Sequence, residues 1–255
     1  MSIDAHINSQ LEAISTHLKD KYNIETNDLY NFNEYCRNAM RTIISLKVWA
    51  KKLKERELIL NGAIQYLDEI ISNLNQTLIL GLLGFKSPSY SMIRRSLENA
   101  ISFIYYKDHS IEYAKKQVDT NFKNLSVKDM SDYIKQYPYH YFITDIDSLS
   151  VVEFVQQVMG LWKTQYQQLS KFVHGSNENY LELNEFLDKI EPSDENLESL
   201  TTYIKKFGSI INTLNIIFFC NVYEEEFDED EKQFIRRAIT QDSYKKKIQS
   251  LFGLI

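Results

Sequence analysis

Residues 87–109, SPSYSMIRRSLENAISFIYYKDH, decide what kind of fold this chain adopts. At 100° per residue, Ile93, Leu97, Ala100, Ile101 and Ile104 share one face, the stripe that a core-facing helix needs. Ser87-Pro88 supplies a cap and a first helical residue whose missing N–H costs nothing there. The reading is an amphipathic helix to about Lys107. Arg94, Glu98 and Tyr105 fall on the flank of the apolar stripe, and Arg95, Ser102 and Tyr106 point further away. Arg94 and Glu98, at i and i+4, can pair and so hold the guanidinium in one place.

The same period runs outward in both directions. Ile7, Leu11, Ile14 and Leu18 place a helix over 4–20. Asn27 is a cap for a long helix to about Arg56, and a third helix spans about Leu58 to Leu83, closed by Gly84. Residues 111–124 read as a helix, and Ser126 with Asp129 forms an acidic capping box before a short one ending near Pro138. YPYHYFITDIDSLS (137–150) alternates enough to hold a brief extended piece. Ser150 and Glu153 predict a second capping box opening a helix over 151–174, with Gly175 at its C′ position. Pro192-Ser193 starts a long helix to about Val222. The acidic run EEEFDEDE (224–231), read as a solvated face, precedes a basic amphipathic helix over 232–252. With only 7 glycines and 3 prolines in 255 residues, the turns of an all-β fold have no supply. The expected fold is all-α: a single helical-bundle domain over 1–255 with about eight to ten helices.

A formal net charge of −6 excludes a general polyanion binder and leaves room only for a local basic patch. Cys36 and Cys220 stand far apart without ligand spacing, which fits two buried thiols in a reducing compartment. The N-terminus lacks a basic start followed by an apolar run, so no signal peptide is expected. The greasiest stretches, 78–85 and 210–219, are too short to span a bilayer, and the expectation is a cytoplasmic protein with no membrane partner.

Chemistry concentrates on two helices. On 151–174, Phe154, Val158, Leu161, Trp162, Leu169 and Phe172 form the apolar face, and Tyr166, Ser170 and His174 follow one edge of it. His174 sits in the last turn, where the negative end of the helix dipole favours a cation. An arginine (Arg94 or Arg95) neutralises phosphate, and a histidine takes a proton from a 2′-hydroxyl or returns one to a leaving oxygen. Glu98 and Ser170 would orient the two. Tyr105, Tyr106 and Tyr166 could stack bases, with His109 and Lys171 as neighbouring binding groups. The set suits metal-independent RNA cleavage. No His/Asp/Glu spacing suggests a metal, and no cofactor is expected: GLLGFKS (81–87) lacks the Gly-Lys-[Ser/Thr] ending of a phosphate loop. Ser170, mid-helix and outside any GxSxG elbow, is no hydrolase nucleophile. A small-molecule or nucleotide pocket between the two helices is a lower-ranked reading.

Taken together, RRSLENAISFIYYKDH and, some sixty residues on, YQQLSKFVHGS resemble uncharacterised all-helical bacterial proteins related to the HEPN superfamily. The resemblance covers about 85–180, flanked by N-terminal helices (1–84) and C-terminal helices (181–255). It implies an HEPN-like helical core, a homodimer, and an RNA-directed effector of antiphage-defence or toxin type that acts as a metal-independent endoribonuclease. It makes His174 the catalytic histidine and Arg94 or Arg95 the phosphate-binding arginine. The superfamily's active signature has an arginine shortly before the histidine on the same helix. This chain has Gln167, Gln168 and Leu169 there. The alternative implied by the resemblance is a non-catalytic helical scaffold or sensor that binds a partner protein or itself.

Overall fold

A computed structural model describes residues 3–55, 62–120, 125–139, 147–175 and 190–253. Among the described residues there are eleven α-helices and no strand, one more helix than the upper expectation. They are α1 (Ile3–Tyr22), α2 (Phe32–Glu55), α3 (Ile64–Leu82), α4 (Lys86–Asp108), α5 (Ser110–Val118), α6 (Val127–Lys135), α7 (Ser148–Val173), α8 (Asp194–Phe218), α9 (Cys220–Glu226), α10 (Glu229–Ala238) and α11 (Asp242–Phe252). The two C-terminal expectations change most. The helix after Pro192 stops at Phe218 and restarts as α9, and the single helix expected over 232–252 is two helices bent at 239–241. The extended piece expected in 137–150 and the polar stretch 175–180 fall mainly outside the described residues.

Some helix starts follow side-chain cap chemistry, not always at the expected residue. The Ser126–Asp129 box is present: Asp129 N–H donates to Ser126 Oγ at 3.1 Å, and Ser126 N–H to Asp129 Oδ2 at 3.2 Å. The Ser150–Glu153 box is not. Asp147 caps α7 instead, accepting from Leu149 N–H at 3.2 Å and from Ser150 Oγ at 2.6 Å. A carboxylate three residues earlier outcompetes a serine for the free amides, and the helix begins at Ser148. Asn27 lies in a 3-10 turn (Thr26–Asp28) ahead of α2 and does not cap it. Nor does Ser87 cap α4, which starts one residue earlier behind Phe85. The acidic run at 224–231 is largely a solvated face, with Glu224, Glu225, Asp228, Glu229 and Asp230 exposed, but two of its carboxylates also do structural work. Asp228 and Glu231 form a capping box on α10, and Glu231 also pairs with Lys52 of α2 at 2.9 Å.

One continuous cluster of buried side chains runs from Ile7 of α1 to Ile248 of α11. Two helices organise it. α4 packs against α3, α6, α7 and α8, while α2 packs against α3, α8 and α10. Because α4 is covered on several sides, Ser102 and Tyr106 are buried, against the expectation that they point away from the core. Several polar groups drawn into this core are tied to neighbours, whereas others, Thr213 and Asn215 among them, have buried side-chain atoms with no partner among the described residues. Trp49 Nε1 donates to Asn212 Oδ1 at 3.2 Å, Asn212 Nδ2 to Ser45 Oγ at 3.0 Å, and Tyr35 OH to the Thr77 carbonyl at 2.7 Å. Gly84 turns the chain from α3 into α4 with φ +88°, and a Cβ there would collide with the Glu191 backbone. Among the described residues, no helix is long and apolar enough to cross a membrane.

Candidate functional site

The contact between α4 and α7 carries the polar groups singled out in the sequence. Trp162, one turn before Tyr166, buries its indole and donates Nε1–H to the Leu97 carbonyl at 3.0 Å, which sets the register of the two helices. The Tyr166 ring stacks on Trp162 with centroids 5.2 Å apart and planes 9° from parallel. That stacking presents the phenol to the flank of α4. Tyr166 OH donates to Glu98 Oε1 at 3.0 Å and accepts from Arg94 Nη2 at 3.0 Å. Arg94 Nη2 and Glu98 Oε1 are also 3.0 Å apart, with side chains 20% and 29% exposed. The guanidinium carbon lies 5.0 Å from the Tyr166 ring centroid, close enough for cation–π attraction.

Arg94, Glu98 and Tyr166 are therefore one closed three-way network joining two helices. Each hydrogen bond involves a charged partner and is stronger than a neutral one. The Arg94 Nε–H is buried without a partner among the described residues, a cost that the bonds made by Nη2 offset.

The other candidates lie elsewhere. Arg95 is on the far side of α4, paired with Glu69 of α3. Ser170 Oγ donates to the Tyr166 carbonyl of its own helix at 2.7 Å, the common back-bond of a mid-helix serine. His174 occupies the C-cap of α7, is exposed, and is followed by Gly175 at φ +52°. The expected C′ glycine is thus in place. Eight residues of helix put His174 about 12 Å beyond Tyr166 along the axis. Lys171 is exposed in the same last turn.

The aromatic residues after Glu98 belong to a second cluster. Tyr105 is buried, stacked on His109 with centroids 3.9 Å apart, and its OH donates to Glu112 Oε2 at 2.7 Å. Burial, followed by that carboxylate, pushes the Tyr105 phenol well above its usual pKa. Tyr106 is buried against Tyr66, with rings 5.7 Å apart and 5° from parallel. His109 Nδ1 lies 2.8 Å from the Tyr105 carbonyl. These rings are spent on packing and offer no open face for a base. The two cysteines also differ from expectation in one respect: Cys36 is buried, but Cys220 is half-exposed. Among the described residues, no three His, Cys, Asp or Glu side chains gather as a metal site would require.

An open groove of about 480 Å³ runs between α6 and α7 beside this network, lined by Lys128, Lys135, Trp162, Lys163 and Tyr166 among others. Lys135 is engaged by Asp132 at 2.9 Å, whereas Lys128 and Lys163 make no ion pair among the described residues. Sequence reasoning placed Trp162 only on an apolar face. Its indole N–H was the overlooked signal, because a buried tryptophan nitrogen needs an acceptor. Compared with models of protein families, with curated proteins and with solved structures, the chain finds no match.

Proposed function

We propose that this chain is a non-catalytic helical scaffold or sensor, working through protein–protein interaction or self-association, with an HEPN-like core over about 85–180. One observation carries this reading: Arg94, the arginine that the α4–α7 contact offers to a phosphate, is committed within the fold. Arg94 Nη2 is held by both Glu98 and Tyr166 across the α4–α7 contact, so a phosphate would have to displace a carboxylate already 3.0 Å away. A catalytic centre pairs that arginine with a general base within hydrogen-bonding reach of one reacting group. The distance along α7 separates His174 from the network instead.

On this reading Arg94 is a structural group. Arg94→Met keeps the aliphatic stem and removes the charge, leaving Glu98 and Tyr166 to face each other alone. Loss of charge-assisted bonds of this kind costs about 1–3 kcal/mol, and the melting temperature should fall by several degrees. A melting temperature equal to wild type would overturn the structural role.

A second reading, an RNA-directed effector of defence or toxin type, is favoured by the α6–α7 groove. Its lysines Lys128 and Lys163 stand beside Tyr166, and cations beside an aromatic ring suit a single strand. Fluorescence anisotropy with a labelled oligoribonucleotide separates the two readings. Binding lost in a Lys128→Gln, Lys163→Gln double variant supports the second, and no binding by wild type supports the first.

A further inference from the structure

A different surface carries an unexplained concentration of positive charge. Glu34, Arg37, Asn38 and Arg41 follow one face of α2 at i, i+3, i+4 and i+7, the spacing that lines up side chains along a helix. Packing brings Lys205 of α8, Arg237 of α10, Thr240 of the following link and Lys245 of α11 to the same place. Together they line an open groove of about 550 Å³.

Five cations meet here in a chain whose formal net charge is −6. Their partners do not account for them. Arg37 Nη2 donates to the neutral Asn8 Oδ1 at 2.7 Å, and Arg37 makes no ion pair among the described residues. Lys205 pairs with Glu34, Arg237 with Asp4 at 2.9 Å, and Lys245 touches Asp242 only at 3.7 Å. Arg41 makes no hydrogen bond or ion pair among the described residues, and its Nε–H is buried without an acceptor. Even when Glu34, Asp4 and Asp242 are all counted, two positive charges are left over. On the wall of an open groove and without a protein partner among the described residues, the Arg41 guanidinium is available to an anion.

We propose that this groove binds a compact polyphosphate anion, one presenting two or more adjacent phosphate groups. Two guanidiniums a helical turn apart, Arg37 and Arg41, offer planar forks suited to phosphate oxygens, and Lys205, Arg237 and Lys245 add point charges around them. Among the described residues no lining side chain is aromatic, so none of them stacks a base. Recognition reads the phosphates and not what they are attached to. The site is separate from the Arg94–Glu98–Tyr166 network and independent of the function proposed above.

Isothermal titration of the full chain with sodium tripolyphosphate, in metal-free buffer at fixed ionic strength, tests the proposal. Wild type should bind tripolyphosphate, bind ATP within a few-fold of it, and ignore adenosine. Arg41→Met should weaken binding on the order of tenfold or more and leave the melting temperature of the free protein unchanged. Lys245→Gln should weaken it in the same direction, as a check that does not touch the wall of α2. Glu34→Gln removes the one carboxylate that lines the groove among the described residues and should tighten binding. Tripolyphosphate heat no greater than that of sulfate at equal ionic strength would overturn the proposal. ATP binding far tighter than tripolyphosphate, or an oligoribonucleotide that binds where tripolyphosphate does not, would overturn it equally.

Discussion

At the scale of single residues, the question is which polar side chains serve the fold. Tyr166 answers it most directly, because its hydroxyl both donates to Glu98 and accepts from Arg94. Tyr166→Phe keeps the ring on Trp162 and removes only the oxygen. Chemical denaturation should show a loss of about 1–2 kcal/mol, with strong coupling to Arg94→Met in a double-mutant cycle. Strict additivity would mean the network contributes nothing as a unit. The cysteines give a second residue-scale expectation. Burial pushes the Cys36 thiol up to about 12 and also raises the thiol of the partly buried Cys220. A thiol reagent at mildly alkaline pH should therefore modify Cys220 in the native protein and reach Cys36 only on unfolding. Rapid modification of both would contradict the burial of Cys36.

At the scale of elements, helix ends are where sequence and structure part. The apolar stripe of α4 and the capping box of α6 were legible because both are local: every residue that decides them lies within a turn or two. The start of α7 was misread for an equally local reason. Ser150 and Glu153 have the spacing of a box, but Asp147, three residues upstream, holds the better acceptor. Its carboxyl is held below the usual carboxylate range, first by Ser150 and then by backbone amides. A depressed pKa means that this cap stabilises above the unfolded value of about 3.9 and is lost as pH falls through the folded one. Asp147→Ala should lower the melting temperature at neutral pH, and the gap to wild type should close in strong acid. A gap that stays constant would remove the ionised cap from the account. Gly84 is the other junction, where positive φ and the nearby Glu191 backbone leave no room for a side chain. Gly84→Ala should cost about 1–3 kcal/mol, read by denaturant titration; a neutral outcome would mean that the α3–α4 turn relaxes freely.

At the scale of the whole molecule, the all-helical class was legible from scarce glycine and proline and from the helical period. What covers each helix was not. Periodicity names the most apolar stripe, but α4 is enclosed by α3, α6, α7 and α8 among others, and that arrangement arises only from long-range packing. The burial of Ser102, Tyr105 and Tyr106 follows from it. The basic groove was hidden likewise, since its cations come from four helices spread over some two hundred residues. Only the Arg37–Arg41 spacing on α2 hinted at it.

Enclosure also sets the response to alkali. Burial pushes Tyr66, Tyr137 and Tyr244 each up to about 12. A phenol whose pKa is raised in the fold stabilises fully below the unfolded value of about 10, and that contribution is lost as pH rises toward 12. Thermal stability should therefore fall steeply above about pH 10, with the phenolate absorbance of these rings appearing together with unfolding. Ionisation of the buried tyrosines well before loss of helicity would contradict the packing described.

The central claim is that the Arg94–Glu98–Tyr166 network joins two helices of a non-catalytic module. Incubating purified wild type and His174→Ala with RNA in EDTA, followed by gel analysis of the RNA, tests it most directly. The account predicts intact RNA with both proteins. Cleavage by wild type that disappears in His174→Ala, with the melting temperature unchanged, would contradict it.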